Sequence, residues 1–170
     1  MLPEDIAEII AALNQAGVIY VVVGGLAVNY WGYNRPTKGL DIVLKLEDAN
    51  VRAAMGVLAA LGFRPRVPVP LSDFESEANR KRWRLEKDML VFQVESDRFR
   101  ELPIDVFVEE PFDVSEQYAA GPRGKLAEGV FMPIVTYEAL RTLKLVANRD
   151  VDQVDLRRLA LVHGEAPDER

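Results

Sequence analysis

Two aspartates stand where an aspartate is costly. Asp41 lies between Leu40 and Ile42, and Asp105 between Ile104 and Val106, so each carboxylate interrupts an apolar run that reads as a strand. An unpaired buried charge is expensive, so each must meet solvent, a hydrogen-bond donor or a cation. Two such residues on separate strands can converge on one divalent metal ion, which takes carboxylate oxygens as ligands. The plainer alternative for each is an edge-strand aspartate facing water. A third feature is Gly24-Gly25, which follows the run Val18–Val23 and precedes a helix. Paired glycines there let a phosphate approach the backbone, and the start of a helix favours an anion. A strand-to-helix turn also uses glycine for steric reasons alone.

The elements that must position these residues follow from spacing. Residues 3–16 read as a helix, with Pro3, Glu4 and Asp5 in its first turn, an Ile6, Ile9, Ile10, Leu13 stripe, and Gly17 after it. The β-branched run 18–23 predicts a buried central strand. A short helix over 26–32, a loop over 33–38 and a strand over 40–46 come next. A helix over 48–61 ends at Gly62, and the proline-rich stretch 63–69 is extended. Ser72 with Glu75 predicts a capped helix over 72–82. Strands are expected at 89–95 and 104–108, a helix at 112–119, a turn at 121–124 and a strand at 131–135. Thr136 caps a helix to about 148, and a last helix covers 151–162. Helices and strands interleave, which predicts an α/β (α+β) fold with helices packed on a mixed central sheet. One domain over 1–165 is expected, with a frayed tail at 166–170.

The composition fits an ordinary globular chain, with 49% hydrophobic and 28% charged residues. There is no cysteine, which removes disulfides, thiolate nucleophiles and Cys-type zinc sites and fits a cytoplasmic protein. No apolar run reaches the roughly 18 residues of a membrane span, and no signal peptide is evident. A net charge of −6 argues against a protein whose main task is gripping nucleic acid. A local exception is Arg80, Lys81, Arg82, Arg84 and Lys87, which reads either as a solvated face or as a contact for an acidic partner.

Gly24-Gly25, a thirteen-residue gap and then Gly39-Leu40-Asp41 resembles the signature of the DNA polymerase β-type nucleotidyltransferases. The wording from Gly24 to Lys38 is similar to their small prokaryotic branch, which includes AbiEii-like toxins. There Arg-x-Thr-Lys, here Arg35, Pro36, Thr37 and Lys38, leads into an Asp-x-Asp triplet. Asp105 matches the third carboxylate of that pattern. The stretch 140–155 resembles the branch as well, with Lys144, Arg149 and the pair Asp152 and Asp155. The sequence departs from the pattern at Gly39, where the first carboxylate belongs.

The resemblance implies transfer of NMP from an NTP to a hydroxyl on RNA, a protein or a small molecule, with Mg2+ or Mn2+. It implies Asp41 and Asp105 as metal ligands and catalytic groups. It also implies Gly24, Gly25, Arg35, Thr37, Lys38, Lys144 and Arg149 around the nucleotide, and an antitoxin-like protein among the partners. In the family two ions about 3.5–4 Å apart stabilise the attacking and leaving oxygens. Gly39 leaves three readings open: a site that binds a nucleotide with one ion, an enzyme rescued by a nearby acid such as Glu47 or Glu95, or a module that kept the fold and lost the chemistry. If position 39 is a lost ligand, Gly39→Asp is expected to tighten cation binding and, without metal, to destabilise the fold because the new carboxylate and Asp41 repel. The remaining candidates read more plainly. His163 is expected at a helix end, Tyr30, Trp31 and Tyr33 in packing, and Asp152 and Asp155 in pairing with Arg149 or in capping.

Overall fold

The computed structural model describes residues 1–166, so positions 167–170 of the expected frayed tail lie outside the described residues. Helix α1 (Pro3–Gln15) begins at Pro3, carries Glu4 and Asp5 in its first turn and buries Ile6, Ile9, Ile10 and Leu13. Strand β1 (Tyr20–Val23) turns directly into α2 (Gly24–Tyr30), two residues earlier than the spacing suggested. Strand β2 (Leu40–Leu44), helix α3 (Asp48–Ala60) and the two-residue strand β3 (Arg64–Pro65) follow. A 3-10 turn (Leu71–Glu75) then leads through helix α4 (Glu77–Lys87) to strands β4 (Val91–Glu95) and β5 (Ile104–Phe107). The chain ends with α5 (Val114–Ala120), β6 (Arg123–Ala127), β7 (Val130–Pro133), α6 (Tyr137–Ala147) and α7 (Asp150–Val162).

Five strands form one mixed sheet in the order β1-β2-β5-β4-β3, with β2 and β5 parallel and the other pairs antiparallel. Strand β1 is buried along its whole length, as its composition demands, yet it ends the five-strand order rather than standing in the middle. Its outer edge is met by the segment after the β6–β7 hairpin. Val22 bridges Ile134, and the Val135 N–H donates to the Val22 carbonyl at 3.1 Å. One hydrophobic cluster runs from Ile6 to Leu159.

Two expectations fail here for identifiable reasons. The helix expected over 72–82 is two pieces, because Phe74 is fully buried by the 3-10 turn and Ser76, not Ser72, is the cap. The Ser76 hydroxyl accepts from the Asn79 N–H at 3.2 Å. The turn expected over 121–124 runs into β6, whose sequence Arg-Gly-Lys-Leu-Ala carries too little apolar character to register as a strand.

The basic cluster of α4 is not one surface. Arg80 is buried and donates through Nη1 to the Phe74 carbonyl at 2.6 Å. Lys81 pairs with Glu77, and Arg84 with Asp88 and Glu109. Much of the run is thus neutralised by its own neighbours.

Candidate active site

The register between β2 and β5 places Asp41 directly beside Asp105. Across the next strand, Gln93 of β4 is the register partner of Asp105. Side chains of register partners project to one face, and residues one position away project to the other. Accordingly Leu40, Ile42, Ile104 and Val106 are fully buried on the opposite face, while Asp41, Asp105 and Gln93 are half-buried. The alternation that made each aspartate conspicuous is what turns it out of the core.

Gly24 and Gly25 lie under this face. Gly24 has φ +65°, and a Cβ there would sit 2.1 Å from Asp41 Oδ2. A Cβ on Gly25 would sit 2.3 Å from Thr37 Oγ1 and 3.6 Å from Arg35 Nη1. The close approach that the glycines permit is therefore made by the chain's own Asp41 and Thr37. Lys38 is exposed, and with Met1, Thr37, Glu101 and Pro103 it lines a shallow cleft of about 380 Å3.

Behind Asp41 stands an ion-pair network built from α6, α7 and the loop before β2. The Lys144 ammonium is buried and lies 2.9 Å from both Asp152 Oδ1 and Asp155 Oδ2. Asp155, with no exposure at all, also accepts from Arg35 Nε and Nη2, each at 2.7 Å. Asp152 accepts from Arg149 Nε at 2.7 Å and from the Arg149 backbone N–H at 3.1 Å. Burial works to raise the Asp152 carboxyl, but hydrogen bonds from Arg149 and Lys144 outweigh it and hold it below the usual range. Hydrogen bonding to Asp155 and Asp152 raises Arg35 and Arg149 respectively. Three cations against two carboxylates leave one positive charge in excess, directed toward Asp41.

Asp41 itself accepts no hydrogen bond from the described residues. Its pKa is pushed up to about 6, chiefly by burial and next by the Asp105 charge, with Lys144, Arg149 and Arg35 opposing. An ion-pair network on one side and a second carboxylate on the other leave Asp41 without a partner of its own. Oxygen donors of this kind suit a hard divalent cation, and Mg2+ is commonly held by one or two carboxylates plus substrate phosphates. The residues fit one such ion. They do not offer the third acid of a two-ion site, because no group of three or more acidic or histidine side chains among the described residues is placed to hold a metal.

The replacement acids do not fill that place. Glu47 stands beyond the other end of β2 as the residue before α3 and pairs with Lys45 at 3.1 Å. Glu95 shares the face of Gln93 but is the register partner of Arg64 at the sheet edge. Position 39 is crowded. A Cβ on Gly39 would lie 2.7 Å from the Pro103 carbonyl oxygen, which also accepts the Leu40 N–H at 3.0 Å. Gly39→Asp is therefore expected to destabilise the protein by about 1–3 kcal/mol in urea unfolding, with or without Mg2+. A lost ligand predicts the same loss without metal but a metal-induced gain, so the two differ in the outcome with Mg2+. Rescue of the variant by Mg2+ to wild-type stability would mean instead that Pro103 yields and the new carboxylate binds the ion.

Trp31 and His163 are held by contacts within the fold. Trp31 Nε1 donates to the Val135 carbonyl at 3.0 Å, and His163 stacks on Tyr137 with Nε2 2.8 Å from the Trp31 carbonyl. Two residues of the site had no signal in the motif. Gln93 Nε2 donates to Asp105 Oδ1 at 2.9 Å, and Arg66 Nη1 donates to Gln93 Oε1 at 2.6 Å. Alternation in β4 puts Gln93 on a polar face, but nothing in the spacing says that β4 lies beside β5.

No protein-family model matches the sequence, and no curated protein matches it. In shape the chain is similar to ANT(2'')-Ia, solved in complex with adenylyl-2''-tobramycin. The TM-score is 0.55 at 14% identity, over 93% of this chain and 86% of that one. A likeness at that identity shows the fold, which is nucleotidyltransferase-like. Among the described residues no helix is long and apolar enough to cross a membrane.

Proposed function

We propose that this chain transfers a nucleotidyl group from an NTP to an acceptor hydroxyl, using one divalent cation held by Asp41 and Asp105. The observation that carries the reading is their side-by-side placement on parallel strands, with no donor to the Asp41 carboxylate among the described residues. Mg2+ or Mn2+ held there would neutralise charge developing on the phosphoryl oxygens. Arg149, whose side chain is 69% exposed, and Arg35, beside the glycine pair, are the groups to take the triphosphate as planar donors. Lys144 is engaged by two aspartates, so its part is to fix those arginines and supply positive potential rather than to touch phosphate. Asp105 is the group to draw the proton from the acceptor hydroxyl as its oxygen attacks the α-phosphorus and pyrophosphate leaves. The fold neighbour was solved with an adenylylated aminoglycoside, which supports a small-molecule acceptor alongside RNA or protein. An antitoxin-like partner and a cytoplasmic location rest on the sequence resemblance and composition alone.

Labelled-NTP transfer tests the reading. Asp105→Asn should lower kcat by at least about 100-fold, whereas Arg149→Ala should mainly raise KM for the NTP. The crowded Gly39 position supports a second reading, a nucleotide-binding module without transfer. NTP-dependent stabilisation with no labelled product from any acceptor class would select it.

A further inference from the structure

We infer that Gln93, held in one orientation by Arg66, positions the Asp105 carboxylate for cation binding; this rests on the site proposed above. Gln93 and Asp105 are register partners on antiparallel strands, and Gln93 Nε2 donates to Asp105 Oδ1 at 2.9 Å. The other end of the amide is fixed as well. Gln93 Oε1 accepts from Arg66 Nη1 at 2.6 Å, and the Arg66 backbone N–H donates to the Gln93 carbonyl at 3.0 Å.

The amide cannot turn over at low cost. A flip would set its oxygen against the Asp105 carboxylate and its N–H groups against the guanidinium, two repulsive contacts in place of two attractive ones. Arg66 therefore decides which end of Gln93 faces Asp105. Asp105 is then held from one side by Gln93 and faces Asp41 on the other. One of its oxygens is committed to the amide, and the second accepts no hydrogen bond among the described residues. Without the amide, repulsion from Asp41 would rotate Asp105 away and disperse the two-carboxylate pair. The row Arg66, Gln93, Asp105, Asp41 thus runs from the residue after β3 across β4, β5 and β2 and ends at the network of α6 and α7. Partners of this kind that orient metal-binding carboxylates commonly change affinity by about 10–100-fold when removed.

The test is Mn2+ binding by titration calorimetry on the full chain, with transfer kinetics beside it. Gln93→Leu, similar in volume, should weaken Mn2+ binding by about 10-fold or more and lower kcat. KM for the NTP should hold, since Arg35 and Arg149 are untouched. Arg66→Ala, at an exposed position, should weaken Mn2+ in the same direction, and Arg66→Lys should restore much of it. Arg66→Ala also carries the test if Gln93→Leu fails to fold. Wild-type Mn2+ affinity in both Gln93→Leu and Arg66→Ala would overturn the inference while leaving the proposed site intact. If the wild-type chain binds no Mn2+, the proposed site falls and this inference falls with it.

Discussion

Asp155→Ala is expected to lower the unfolding free energy by about 3–5 kcal/mol, the usual cost of stripping one partner from a buried ion pair. In a chain of this size that is a fall in Tm of about 10 °C or more. Asp155 is wholly buried, accepts two hydrogen bonds from Arg35 and pairs with the Lys144 ammonium at 2.9 Å. Alanine would leave the buried Lys144 ammonium with Asp152 alone and release Arg35 from α7. Asp155→Asn keeps the shape and one acceptor oxygen, so it should cost less stability. It should still raise KM for an NTP, because Arg35 would no longer be clamped beside Gly25. A loss below about 1 kcal/mol in Asp155→Ala would show that water serves Arg35 and Lys144 as well as the aspartate does. The network would then not be what ties the segment before β2 to α7.

That network also shows where sequence reading reaches its end. Asp41 and Asp105 could be picked out because each breaks an apolar strand, a pattern local to five residues. The pairing of β2 with β5 that brings them together is a contact over more than sixty positions, and the motif resemblance rather than periodicity supplied it. Asp152 and Asp155 were expected to serve Arg149. The structure divides them, giving Asp152 to Arg149 and Asp155 to Arg35, with Lys144 bridging both. Spacing on α7 puts the two acids on one helical face but cannot say which cation from which element meets each. Gln93 was invisible for the same reason, since its function comes from the neighbour on the next strand. Gly39 shows the opposite limit. The motif marked it as a missing ligand, whereas only the position of the Pro103 carbonyl reveals that a side chain there must push the neighbouring backbone aside.

Asp41→Asn should make the metal-free protein more stable at pH 8, which is an unusual result for removing a charged residue from a site. Burial and the Asp105 charge raise the Asp41 pKa to about 6 from the ordinary 3.8. Between those values the folded chain holds a proton that the unfolded chain has released, so this carboxyl stabilises the fold in acid and its contribution is lost as pH rises through 6. The difference corresponds to about 3 kcal/mol. Asparagine carries no charge to bury and no repulsion with Asp105, so the variant should gain up to that amount in chelator at pH 8. The gain should shrink toward zero near pH 4, where the wild-type carboxyl is protonated in the folded state. Adding Mg2+ or Mn2+ should reverse the order, because a cation bound only to the folded wild type stabilises it by mass action and the variant has lost a ligand. Urea unfolding at pH 4, 6 and 8, with chelator and with metal, reads all of this. A variant less stable than wild type in chelator at pH 8 would mean that Lys144, Arg149 and Arg35 already satisfy Asp41, and that its carboxylate needs no cation.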